Sequence, residues 1–197
     1  MKQIILASVF AAIVVYVWMF ISWAFLPWHA NLFKNLPIAD SLASQVKSSV
    51  TERGIYRYPG VPTMTSKEVM NALAKKYAAG PVIPFMVYEP NGIDMVDPWE
   101  FAWGFIIDFL MALVAAVLLN FSTAKSKGFL ARLGFVILIP VFAALIGPMI
   151  EWNWLLFPAG YSFGVALDYI LTWLLAGSVL ALVIRNKKAA VNQIAGN

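Results

Sequence analysis

The sequence predicts an α-helical integral membrane protein with four transmembrane helices and a small α+β extracytoplasmic domain. Three observations predict this class. Of the 197 residues, 61% are hydrophobic and only 12% are charged, whereas about a quarter of the residues in soluble domains are charged. Four apolar stretches are long enough to cross a hydrocarbon core of about 30 Å. Most of the remaining charge lies in one polar segment between the first apolar stretch and the other three.

The first apolar stretch covers residues 4–26, behind a single Lys2. A cleaved signal peptide has a shorter apolar region, of about 7 to 15 residues, and a small-residue cleavage site. This stretch is longer and ends near Trp23 and Pro27. We therefore expect an uncleaved first transmembrane helix over residues 1–27.

The polar segment over residues 28–100 is expected to fold as a small α+β domain. Apolar residues recur at every fourth position and predict a helix that begins near Asp40. Residues 65–68, with the sequence TSKE, form a capping box that predicts a second helix. Residues 54–60 and 85–88 are each bounded by turn residues and predict two short strands. A domain of this size has a thin core, so we expect it to lean on the membrane part.

The membrane region over residues 101–188 contains the other three predicted helices. They cover residues 101–121, 133–150 and 161–184. Prolines 140 and 148 must kink or end the third helix, because proline removes a backbone donor and clashes with the preceding turn.

Lysine and arginine predict the orientation. Lys2, the loop after the second helix and the C-terminal region are basic, whereas the 151–160 loop contains no lysine or arginine. By the positive-inside rule, both termini, including the tail 189–197, are cytoplasmic and residues 28–100 lie on the outer side. The same pattern argues against a nucleic-acid partner, because the net charge is only +4 and the basic residues outside the polar segment cluster at the ends of apolar stretches.

Few kinds of chemistry are compatible with the composition. The chain has no cysteine and one histidine, so it has no thiolate metal site and no dedicated zinc site. We find no phosphate-binding glycine loop, no serine nucleophile motif and no dinucleotide fingerprint. We predict no metal, and the sequence leaves any cofactor unknown.

Two of the predicted membrane helices carry an aspartate inside apolar sequence. Asp108 and Asp168 each lie four positions after a glycine and just before an aromatic residue. This match suggests a tandem repeat of two-helix units related by an axis along the membrane normal, with chance similarity of apolar sequence as the alternative. An acid at mid-helix costs about 3 kcal/mol on insertion scales. The two aspartates are therefore candidates for a proton or cation site, with Glu151 as a third acid.

A purely structural role for the aspartates is the alternative. Protonated, or capped by a neighbouring group such as Thr172, the acids would lock helices together or meet basic groups on another subunit. Small residues at spacings of four also share their helix faces. Such residues let helices approach closely, so we expect these faces to pack against protein. The helix-packing candidates are Gly104, Ala112, Gly164 and Thr172.

His29 lies just outside the first helix, beside Trp28. A lone histidine at an interface could bind a metal or a pigment. An ordinary interfacial position beside tryptophan is the alternative. His29 is therefore a weak ligand candidate.

Several short motifs lie in the first half of the chain: Leu26-Pro27-Trp28-His29, Gly54-Ile55-Tyr56 with Pro59-Gly60, and Val87-Tyr88-Glu89-Pro90-Asn91-Gly92. In these motifs the chain resembles a set of uncharacterised bacterial inner-membrane proteins with four helices and an outer-side soluble insert. The resemblance implies a bacterial source and a stand-alone membrane protein. It implies no activity and no site residues.

The function that the sequence favours is a non-catalytic accessory or structural subunit of the inner membrane. Its outer domain and helix faces would bind other membrane-protein subunits or a second copy, in contact with membrane lipid. The alternative is a small proton- or cation-coupled carrier or channel that uses Asp108 and Asp168. An enzyme is the least favoured class, because no nucleophile or metal cluster accompanies the acids.

Overall fold

The computed structural model describes residues 1–30, 32–63 and 66–186. It divides into two compact units, a membrane-helix unit made of Met1–Phe33 with Val96–Asn197, and an inserted unit made of Lys34–Met95. Its longer elements follow the hydropathy pattern of the sequence. In chain order the elements are α1 (Lys2–Phe25), α2 (Pro27–Ala30), α3 (Ala39–Ser49), β1 (Gly54–Tyr58), α4 (Lys67–Ala79), β2 (Ile83–Tyr88), α5 (Pro98–Phe121), α6 (Phe129–Ile146), α7 (Pro148–Trp154) and α8 (Ala159–Val183).

Four helical segments among the described residues are long and apolar enough to cross a membrane: α1, α5, α6 with α7, and α8. Each contains 24 to 26 residues, which at 1.5 Å per residue gives about 36 to 39 Å. The third segment begins at Phe129, four residues before the predicted start. Pro140 lies within the continuous helix α6, whereas Pro148 opens α7 after a break at Gly147. Proline is well tolerated at that first position, where its missing N–H has no helical partner.

Helices α1 and α8 form the centre of the membrane-helix unit. Helix α1 packs on both α5 and α8, and α6 packs on α8, whereas α5 and α6 touch only sparingly. Alanines on the packed helices are completely buried, and side chains of this size allow close approach. The buried alanines of α1 and α5 are Ala7, Ala11, Ala12, Ala112, Ala115 and Ala116.

Gly177 permits the close approach of α6 and α8. A Cβ atom at this position would lie 2.9 Å from Cγ1 of Val136, which is shorter than a van der Waals contact. Even an alanine would therefore require the Val136 side chain or α6 itself to move.

Side chains from neighbouring elements donate hydrogen bonds to the backbone carbonyls at the carboxyl end of α8. Arg132 Nε donates to the Ala181 carbonyl at 2.6 Å, and Gln3 donates to the Val183 carbonyl. These carbonyls belong to the last helical turn, whose carbonyl oxygens have no N–H donors within the helix. The start of α1, the start of α6 and the end of α8 therefore lie together. This end of the helices carries Lys2, Lys125, Lys127, Arg132 and Arg185.

The inserted unit contains a two-stranded antiparallel sheet, in which Gly54 pairs with Tyr88 and Ile55 pairs with Val87. Helix α4 connects the strands in sequence. Its N-cap is Ser66, whose side chain accepts from the backbone N–H of Val69. The Ser66 hydrogen bond also holds the pKa of Glu68 below its ordinary value. Residue 65 of the expected capping box lies outside the described residues.

One face of this sheet is uncovered. The paired residues Ile55 and Val87 are each 67% exposed. Helix α4 has no buried residue. The described part of the inserted unit is therefore poorly packed, because its apolar side chains have little to cover them.

Candidate functional site

Asp168 lies at the centre of a buried polar cluster between α1 and α8. Its carboxylate is 2% exposed. Oδ1 accepts hydrogen bonds from Ser22 Oγ at 3.0 Å and from Trp18 Nε1 at 3.2 Å. Oδ2 lies 3.3 Å from Nε2 of His29. Three donors from the first part of the chain thus converge on one carboxylate, as a buried charge requires.

His29 reaches Asp168 because the chain turns back after α1. Leu26 is extended and Pro27 opens the short helix α2, which brings the imidazole within 3.0 Å of Ser22 Oγ. The Trp23 ring stacks on the imidazole, with a centroid distance of 4.0 Å and an interplanar angle of 11°. These contacts leave His29 only 4% exposed.

The hydrogen-bond pattern fixes one proton in the cluster. Ser22 has a single hydroxyl proton, which it donates to Asp168, and its oxygen accepts from Trp28 Nε1 at 3.1 Å. Nε2 of His29 therefore faces two acceptors, Ser22 Oγ and Asp168 Oδ2, and must itself be the donor. The other ring nitrogen, Nδ1, is buried and has no partner among the described residues.

Asp108 has very different surroundings from Asp168. It is partly exposed and lines a cleft of about 690 Å³ with residues of α1, α5, α6 and α8. The cleft exists because α5 and α6 touch only sparingly while both pack on the central helices. Asp108 forms no hydrogen bond or ion pair with any described residue. The two aspartates share no hydrogen bond, so no proton is shared between them in this arrangement.

The other predicted site residues differ in their burial and in the residues that they contact. Thr172 is buried and donates to the Asp168 carbonyl at 2.7 Å. Ala112 is fully buried, whereas Gly104 and Gly164 are half-buried and approach Tyr16 and Leu32 respectively. Glu151 lies in α7, partly buried and without an ion pair in the described part of the chain.

The sequence alone did not predict which side chains donate to Asp168. The four apolar stretches contain no lysine or arginine, so the sequence suggested no counter-ion for Asp168 within the membrane helices. The structure instead provides His29 from the turn after α1, together with Trp18 and Ser22 from α1 itself. Trp18 and Ser22 are four residues apart, so they share a helix face. A polar pair at that spacing in an apolar helix is the signal that could have identified this face.

The protein groups around each aspartate determine what chemistry the two sites can perform. Among the described residues, no group of three or more His, Cys, Asp or Glu could hold a metal ion. The donors around Asp168 already use its oxygens, which suits a fixed helix-locking cluster. Both carboxylate oxygens of Asp108 lack a partner among the described residues and are available to a ligand.

Four long apolar helices around a buried polar cluster are compatible with the class of helical multi-pass membrane proteins. No protein-family model, no curated protein and no solved structure matches the chain. Its function must therefore be inferred from its own residues.

Proposed function

We propose that this chain is a non-catalytic assembly subunit of a bacterial inner membrane. Both termini would be cytoplasmic, and residues 28–100 would lie on the outer side. The clustering of basic residues at one end of the helix bundle supports this orientation, because cytoplasmic loops are enriched in lysine and arginine. In this arrangement the inserted unit binds another protein subunit on the outer side.

The uncovered sheet face is the observation that carries this proposal. The paired residues Ile55 and Val87 present apolar side chains on one face of a two-stranded sheet. A two-stranded sheet is marginal in water unless its apolar face is covered, and contiguous exposed apolar patches mark interaction sites. We assign this face to an apolar surface of a partner subunit, whose binding would complete the thin core.

The experiment is site-specific photo-crosslinking in native membranes. A photoreactive amino acid at Val87 is expected to give a discrete adduct with a partner subunit. The matched control is Lys75, an exposed position on α4 away from the sheet. Introducing Val87→Lys on a chain that carries the photoreactive group at Ile55, its cross-strand neighbour, should abolish the adduct. Mass spectrometry then identifies the adduct and its stoichiometry.

Three results would contradict the proposal. Equal adducts from Val87 and Lys75 would indicate random collision. An adduct within the same chain would show that the membrane helices cover the face themselves. An adduct with twice the mass of the chain would show that the partner is a second copy of this chain and not a different subunit.

We retain the two-helix repeat as an approximate relation. Helix α1 packs on α5 as α6 packs on α8, which is consistent with two similar pairs. An exact two-fold axis would also require the α1–α8 and α5–α6 contacts to match, and the second is much smaller. This difference supports unequal roles for the two aspartates, since only Asp108 faces an open cleft.

A small proton- or cation-coupled carrier or channel is the second candidate function, and the cleft at Asp108 is the observation that favours it. Asp168 is already held by three donors, so we assign the coupling role to Asp108 alone. Asp108→Asn should abolish flux in reconstituted vesicles while the protein remains folded. Flux that persists in Asp108→Asn would refute this candidate.

A further inference from the structure

The cleft at Asp108 has the size and lining of a small-molecule site. Its volume of about 690 Å³ falls within the range of roughly 300 to 1,000 Å³ that is typical of ligand pockets. Most of its wall is apolar and includes Met19, Met111 and Trp173. Side-chain oxygens come from Asp108, Tyr169 and Thr172. Such a cleft favours a largely apolar ligand with one polar group.

Asp108 determines the charge of that ligand. Its carboxylate has no hydrogen-bond donor and no cation among the described residues, although it lies inside an apolar helix. An unpaired charge in such surroundings is unfavourable. A cationic ligand would remove this penalty, whereas an anionic ligand would add repulsion.

A bare divalent cation does not fit the available ligands. Hard cations such as Ca²⁺ and Mg²⁺ need about six or more oxygen ligands to replace their water. The cleft has three oxygen-bearing side chains, which is fewer ligands than such an ion needs. An organic cation keeps its charge on an apolar body and loses much less hydration. The indole of Trp173 adds an aromatic surface that attracts cations.

We infer that the Asp108 cleft binds a lipophilic organic monocation, with the carboxylate as its counter-ion and the apolar wall around its hydrocarbon part. The inference deepens the second candidate function by naming the ligand class. It rests on the geometry of the cleft and does not depend on the assembly role of the inserted unit.

The test uses two probes of nearly the same shape and opposite charge. Tetraphenylphosphonium and tetraphenylborate are titrated against the full-length protein in nanodiscs, and binding to empty nanodiscs is subtracted. We expect the protein to bind the cation at least tenfold more tightly than the anion. Asp108→Asn should reduce cation affinity at least tenfold, and Asp108→Glu should restore most of it.

Two further variants separate charge from shape. Glu100→Gln removes a carboxylate from the same helix outside the cleft and should leave cation binding unchanged. Ala143→Phe fills the cleft but keeps Asp108, and it should weaken binding even if Asp108→Asn fails to fold.

Several outcomes would overturn the inference. These are equal affinity for both probes, undetectable cation binding to the wild type, and wild-type affinity in Asp108→Asn. Co-purification of a subunit whose basic residue crosslinks to position 108 would also overturn it, because the cleft would then be a protein contact. Specific binding without flux would support the ligand site and refute only the carrier candidate.

Discussion

Replacing His29 with Phe should destabilise the membrane-helix unit while preserving most of its packing. The phenyl ring can remain stacked on Trp23, so little apolar contact is lost. The substitution removes Nε2, which lies 3.3 Å from Asp168 Oδ2 and 3.0 Å from Ser22 Oγ. Asp168 would then be a buried carboxylate with one oxygen that lacks its donor.

The magnitude follows from the number of donors that remain. Removing one donor from a buried charged acceptor costs about 1.5 to 3 kcal/mol. Ser22 and Trp18 donate to Oδ1 and do not replace the lost donor at Oδ2, so we expect a loss near the upper limit, about 3 kcal/mol. Asp168→Asn removes the charge but keeps the shape, and should cost only about 1 kcal/mol, in the range of a single neutral hydrogen bond.

The assay is a double-mutant cycle on reversible unfolding in bicelles, followed by far-ultraviolet circular dichroism. In the His29→Phe background, Asp168→Asn leaves no buried charge without a partner at this position. The loss of unfolding free energy in the double variant should therefore be smaller than the sum of the two single losses by about 1.5 kcal/mol or more. This difference is within the range measured for contacting residues. Strict additivity, or wild-type stability of His29→Phe, would refute the pairing of these two residues.

Three other expectations concern contacts elsewhere in the chain. Gly177→Ala should destabilise the α6–α8 contact by about 1 to 3 kcal/mol through overpacking, whereas Gly134→Ala, where a Cβ meets open space, should be neutral or stabilising in the same unfolding assay. Arg132→Met should lower the free energy of unfolding by about 1.5 to 3 kcal/mol, because the carbonyl at the end of α8 loses a charged donor. Ser66→Ala should raise the pKa of Glu68 in a carboxyl-carbon NMR titration, since its lowering depends on the Ser66 hydrogen bond. Because a lowered pKa stabilises the folded state above the unfolded value, the Glu68 contribution should be lost as pH falls through the folded pKa; an unchanged Glu68 titration would contradict this assignment.

The sequence by itself predicted the helical class and the approximate limits of the long helices. Hydropathy over about twenty residues is a local property, so α1, α5 and α8 follow from composition alone. The helix beginning near Asp40 and the strands around residues 54–60 and 85–88 were likewise readable from local spacing and turn residues. The start of the third helix was less accurate, because a basic side chain there is used inside the bundle.

The pairing of distant side chains depended on tertiary structure. Asp108 and Asp168 have the same local pattern, yet only Asp168 meets His29, which lies 139 positions earlier in the chain. Local sequence cannot distinguish them, because the difference arises from which helices pack together. Helix α8 lies against α1 and the turn that follows it, whereas the sparse contact between α5 and α6 leaves Asp108 facing an open cleft.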